Sequence, residues 1–273
     1  MPPRYSTPHR SRAMKMSTRL HACLKSGTTA GGFGFALNSP AAVEFLLLDV
    51  DLDFIIIETQ HAPVSAADAA HLLRAAQSAD PQATPIARVP CHDVYWIQQM
   101  LDLGFVGLVV PLCESADQAR ALVQATYYPP LGLRSIASAI RAKMYDDYIN
   151  QANDHIILLP QIESRRGLEN VEQIAAVEGV NALLLGPADL SLDCGWFDHL
   201  PEIWSYPPFI EALDRITAAC NANNIPLATM VGGESVFHAQ KAGLQIICSG
   251  VDTIAMRNTA PAVNDIMDRL HKD

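Results

Sequence analysis

Carboxylates, one arginine and one histidine stand where short apolar runs of this chain end. Glu58 closes one run and is followed by Gln60 and His61. Arg88 lies in the next, Gln161 and Glu163 end a later one, and Asp189 follows Gly186-Pro187-Ala188 after another. Two carboxylates at neighbouring run ends, Glu163 and Asp189, are oxygen ligands suited to a hard divalent ion, Mg2+ or Mn2+. An ion held by so few protein groups keeps positions for substrate oxygens and acts as a Lewis acid. A fixed guanidinium such as Arg88 stabilises a developing oxyanion, and His61 is a candidate proton-transfer group, histidine being the side-chain type suited to that role near neutral pH. Each residue also has a plainer reading: Glu163 caps a helix opening near Arg165, Asp189 is an N-cap, Arg88 pairs with Glu58, and His61 is a loop histidine.

Other chemistries are excluded by what is missing. Lysine occurs only at Lys15, Lys25, Lys143, Lys241 and Lys272, none in an apolar run, so a strand-borne Schiff base is not expected. No serine-hydrolase or Walker loop is present, and His71, His92, His155 and His238 form no H-x-x-x-H pair. Gly31, Gly32 and Gly34 imitate a nucleotide loop, but Leu37 stands where the third glycine belongs.

The elements that position these residues follow from periodicity. Apolar runs lie at 31–37, 53–59, 84–90, 106–112, 155–163, 181–187, 225–231 and 244–250. They alternate with helical spacing at 40–50, 66–79, 93–103, 115–126, 167–177, 207–223, 234–242 and 258–271. Most runs are apolar without a break at their centres, as parallel strands buried on both faces are. Eight strand–helix units in about 240 residues predict a single (β/α)8 barrel, whose active face is built at the strand C-termini. A short helix near Thr18–Lys25 is expected to cover the other end. Ser65 and Ser115 read as N-caps, with Asp68 a near-match to a capping box and Gln118 completing one. The long connection over 127–154 reads as a lid or an interface element.

The chain has 273 residues, 49% hydrophobic and 18% charged, with a formal charge of −10. The acidic balance argues against nucleic acid or an anionic membrane as partner and leaves small molecules. Six scattered cysteines suit a reduced, cytoplasmic setting, and no run approaches a membrane span. Residues 1–16 read as a disordered tail before a barrel over 17–273. The tail carries Arg4, Arg10, Arg12 and Lys15 and no acid, the flavour of an organelle transit peptide, but Pro2, Pro3 and Pro8 oppose an amphipathic helix.

Taken with their neighbours, QIESRRGLENVEQI (161–174) and LLLGPADLS (183–191) resemble the HpcH/HpaI aldolases, metal-dependent class II pyruvate aldolases. IIIETQHAPVS, PIARVP, QMLDLGF, YYPPLGLRS and SGVDT extend the resemblance over roughly residues 20–271. It implies retro-aldol cleavage of a 4-hydroxy-2-oxo acid to pyruvate and an aldehyde. Glu163 and Asp189 would hold the metal, Mg2+ or Mn2+ with Co2+ a third candidate. Gln161, Glu58 and the Gly186-Pro187-Ala188 turn would serve the substrate, Arg88 the enolate oxygen, and His61 the C4 hydroxyl proton, oriented by Asp102. The family's D-x-E-H reads Glu58-Thr59-Gln60-His61 here, with one carboxylate longer and the other an amide. The family also implies a homo-oligomer, a dimer-based hexamer with exchanged C-terminal helices and with 127–154 and 258–271 at contacts. Two other functions compete with the aldolase reading. One is a macrophomate-synthase-like enzyme that decarboxylates oxaloacetate and forms carbon–carbon bonds, and the other is a non-catalytic metabolite-binding barrel.

Overall fold

The computed structural model describes residues 15–136, 144–145 and 147–271. Its strands are β1 (Ala30–Phe35), β2 (Phe54–Glu58), β3 (Thr84–Arg88), β4 (Gly107–Val110), β5 (Ile157–Ile162), β6 (Leu183–Leu185), β7 (Leu227–Met230) and β8 (Ile246–Val251). They pair in chain order, all parallel, and β1 meets β8 to close the barrel. Each strand falls on one of the eight predicted runs, so the (β/α)8 architecture is the one observed.

Side chains alternate across these strands. Ile55, Ile57, Leu108 and Leu158 belong to the outer cluster shared with the helices. Phe54, Ile56, Ile86, Val109, Ile157, Leu159, Leu184, Ala228, Ile246 and Cys248 form the filled interior. Gly32 belongs to this packing: a Cβ there would stand 2.4 Å from the Phe54 ring, so this glycine makes room inside the barrel. Carried two residues toward the strand C-termini, the same alternation brings Glu58, Arg88 and Gln161 to the mouth, and two further residues bring Glu163.

The helices are α1 (Arg19–Ser26), α2 (Pro40–Asp49), α3 (Ala66–Ala79), α4 (Val94–Leu103), α5 (Ala116–Thr126), α6 (Tyr148–His155), α7 (Arg165–Glu169) and α8 (Val171–Ala175). They continue with α9 (Pro187–Cys194), α10 (Pro207–Ala222), α11 (Ser235–Lys241), α12 (Asp252–Arg257) and α13 (Ala260–Leu270). Leu20 of α1 joins the interior cluster and plugs the N-terminal end. Ser65 accepts from the Asp68 amide and Asp68 returns the bond, a complete box. Ser115 accepts from Gln118, but the Gln118 amide oxygen takes the Glu114 N–H at 2.7 Å, so that box closes one residue early. The predicted helix 167–177 breaks at Asn170 into α7 and α8, and the C-terminal one starts earlier, as α12.

Two boundaries move. Met16, placed in the tail by the sequence, is 1% exposed within the core, whereas residues 1–14 lie outside the described residues. The described residues of the connection over 127–154 link the end of α5 to the start of β5 at the N-terminal end of the barrel, away from the strand C-termini that a lid would cover, and residues 137–143 and 146 of it lie outside the described residues. Among the described residues no helix is long and apolar enough to cross a membrane, and the six cysteines are free.

Candidate active site

Glu58 and Arg88 are partners in the β2–β3 register, so both inward side chains rise at the same height. They form an ion pair through Glu58 Oε2, as the plainer reading of Arg88 anticipated. Oε1 of Glu58 accepts the Gln60 N–H at 2.6 Å and the His61 N–H at 3.1 Å. With both oxygens engaged and 4% exposure, this carboxylate shapes the turn after β2 and holds the guanidinium; it has no oxygen left for the substrate role expected of it. His61 is exposed on that turn. Gln60 Oε1 is buried with no hydrogen-bond partner among the described residues.

Across the barrel, the β5–β6 register pairs Gln161 with Leu184 and Ile162 with Leu185, which sets Glu163 beside Gly186. A Cβ at Gly186 would lie 2.8 Å from Gln161 Nε2 and 2.9 Å from Glu163 Cβ; only glycine admits both side chains. Gln161 Nε2 donates to Glu163 Oε2, while the Leu112 N–H donates to Oε1 at 2.8 Å. Burial pushes the Glu163 carboxyl up to about 7; the Asp189 charge adds to this, and the Leu112 bond and Arg88 oppose it. Gln161 Oε1 is buried without a partner.

Neither helix-cap alternative survives. Ser164 caps α7 by accepting from Gly167 at 3.1 Å, which leaves Glu163 free of that duty. Gly186 is the N-cap of α9, Pro187 its first residue, and no side chain caps it; Asp189 is the third residue. The amides of Ala188 and Asp189 therefore lie in the first turn, where N–H groups lack partners within the helix and favour an anion. Among the described residues no group of three or more His, Cys, Asp or Glu could hold a metal. The Glu163–Asp189 pair supplies two carboxylates at adjacent strand ends, without a third such group beside them among those residues.

Asp102 is not brought to this cluster. It lies in the last turn of α4, and helices of this fold run back from the strand C-termini, so it ends near the opposite face. Its Oδ1 accepts from Arg134 Nη2 at 2.7 Å, and Arg134, fully buried as a side chain, also donates to the Tyr148 hydroxyl at 3.0 Å. Within one chain Asp102 anchors the connection after α5 and does not orient His61. Sequence reasoning also missed Leu112, whose amide reaches Glu163. It missed Asp252 too, which ties β8 to β1 by accepting from Ala36 and Leu37 at 2.9 and 3.0 Å. The SGVDT motif was the only sign of the latter.

A closed parallel barrel with a guanidinium, a carboxylate pair and an exposed histidine at its strand C-termini defines a (β/α)8 enzyme site. The model of the HpcH/HpaI aldolase/citrate lyase family matches residues 35–259, and this chain belongs to that family. It is 37% identical over 249 residues to a hydroxypyruvate/pyruvate aldolase of Deinococcus radiodurans, covering 90% of this chain and 88% of that one. It is 32% identical over 253 residues to a 4-hydroxy-2-oxo-heptane-1,7-dioate aldolase of Escherichia coli, covering 91% and 94%. The crystal structure of macrophomate synthase superposes with a TM-score of 0.81 at 26% identity, covering 96% of this chain and 93% of that one. These likenesses make the chain a carbon–carbon lyase, an aldolase acting on a 2-oxo acid, and set aside the non-catalytic barrel.

Proposed function

We propose that this lyase reversibly cleaves a 4-hydroxy-2-oxo acid, of the 2-keto-3-deoxy acid type, to pyruvate and an aldehyde, with a divalent metal held by Glu163 and Asp189. The observation that carries the reading is the carboxylate pair at adjacent strand ends, beside a buried Gln161 oxygen that has no partner. A carboxylate made costlier to ionise by burial and by a second carboxylate beside it, next to an unused acceptor, fits a cation such as Mg2+ or Mn2+. When bound, that ion supplies Lewis-acid polarisation of the substrate's oxygens.

The chain's own groups do the rest. The first-turn amides of Ala188 and Asp189 receive the substrate carboxylate. His61 takes the proton of the C4 hydroxyl, the C3–C4 bond breaks, and the aldehyde departs. The electron pair stays on the three-carbon fragment as an enolate, whose oxygen charge Arg88 stabilises, and protonation at C3 completes pyruvate. Glu58 serves by holding Arg88 and the turn that carries His61.

A screen of pyruvate with varied aldehydes, supplemented with Mg2+, Mn2+ or Co2+, is expected to show aldol addition and the reverse cleavage. Deuterium exchange at the pyruvate methyl should accompany it. Undiminished turnover after exhaustive chelation would remove the metal from the reading. The likeness to macrophomate synthase supports a second activity, so oxaloacetate is run alongside; rapid decarboxylation without any aldol cleavage would favour the carbon–carbon bond-forming enzyme.

The assembly belongs to the same proposal: a homo-oligomer, dimer-based and hexameric, with exchanged C-terminal helices. In α12 and α13 no residue is buried, yet Val263, Ile266, Met267 and Leu270 make a stripe at helical spacing, between 40% and 64% exposed. Phe45 and Leu48 of α2, each 72% exposed, are a counterpart. Ile266→Glu is expected to shift the sedimentation of the protein to smaller species; unchanged sedimentation would count against exchange of this helix.

A further inference from the structure

Leu112 has φ 51°, in the left-handed region that disfavours a side chain. The cause lies in the β4–β5 ladder. Bonds in a parallel ladder recur every two residues along each strand. Continued from the Ile157 N–H on the Val106 carbonyl, that repeat would give the Gln161 carbonyl to the Leu112 N–H. The Cys113 N–H takes it instead, at 3.1 Å. One extra residue therefore bulges from β4, and His92 Nε2 pins the bulge by donating to the Pro111 carbonyl at 2.6 Å. Released from the ladder, the Leu112 N–H reaches Glu163 Oε1 at 2.8 Å. The Leu112 side chain is 51% exposed, so core packing does not demand the conformation.

Glu163 is then held at both oxygens, by a backbone N–H on Oε1 and by Gln161 Nε2 on Oε2. Two donors of different origin leave the carboxylate one rotation about its terminal bond. We infer that Leu112 is a positioning residue whose bulged, left-handed backbone delivers the amide that fixes Glu163 for a divalent cation shared with Asp189. The inference rests on the reading of Glu163 as a metal ligand.

The test uses Mn2+ binding to the full-length protein, followed by electron paramagnetic resonance. Replacing the Leu112 amide by an ester, through leucic acid at that position, removes the donor alone; Leu112→Gly keeps the donor and relieves the backbone. The ester protein is expected to bind Mn2+ about 10-fold or more weakly with an altered bound-ion spectrum, and Leu112→Gly to stay within about twofold of the parent. Parental affinity in the ester protein overturns the inference. Should the ester protein fail to fold, Leu112→Val, which opposes positive φ, replaces it with the same expected loss, and parental affinity in that variant overturns the inference equally. Failure of the metal reading looks different: the parent then shows no saturable Mn2+ binding, or Glu163→Gln binds as the parent does, and the inference falls with it.

Discussion

Glu163→Gln and Asp189→Asn are each expected to lower metal-dependent turnover by roughly a thousandfold, because the Lewis-acid contribution at stake is several kcal/mol and each factor of ten is about 1.4 kcal/mol. The fold should survive both changes, since each keeps the shape of the side chain. Stability supplies an independent sign. The Glu163 carboxyl is raised from its ordinary 4.5 to about 7, first by burial and then by Asp189. Between those values the folded protein binds more protons than the unfolded chain, so without metal the contribution of Glu163 is fully present below 4.5 and is lost as pH rises through about 7. Above that pH, metal-free Glu163→Gln should melt higher than the parent, and excess Mn2+ should reverse the order by stabilising only the parent. Metal affinity should climb with pH up to about 7 and level off beyond it, because proton and cation compete for one carboxylate. Thermal melting with and without Mn2+ across that range checks all three; a parent that melts alike with and without metal at every pH would count against the site.

Arg88→Met carries the second large effect, and it has two components that separate. Loss of a preorganised donor for the enolate oxygen is expected to reduce kcat by about 100-fold to 1000-fold. The same change strands Glu58, 4% exposed and ion-paired to Arg88, and breaking a buried pair from one side costs about 3–5 kcal/mol. Arg88→Met should therefore melt well below the parent. Combining it with Glu58→Met removes the stranded charge and should restore much of the melting temperature with no recovery of kcat, a coupling that a double-mutant cycle reads directly. Parental kcat in the stabilised double variant would show that Arg88 serves the fold alone.

Much of this site was legible because it depends on local rules. Strand alternation of period two, counted from Phe54 and Ile56, assigns Glu58 to the barrel mouth, and the order of strands in a parallel barrel makes Glu163 and Asp189 neighbours. The requirement for glycine at Gly186 and the fixed turn after β2 became explicit only with the register. Whether Arg88 met Glu58 or stood free was open in the sequence, since an inward guanidinium needs a partner without specifying which.

The chain's sequence by itself determined the barrel, because eight apolar runs separated by helical spacing have few other ways to bury both faces, and it determined which polar residues ride at the strand C-termini. Tertiary structure alone decided the rest. Asp102 meets Arg134, 32 residues further along the chain, Met16 enters the core through packing that a basic, proline-bearing tail does not announce, and Leu112 turns its amide to Glu163 through a one-residue bulge. These depend on which distant backbones touch and in what register. Periodicities of two and 3.6 residues carry no record of that, and leucine signals no preference for positive φ.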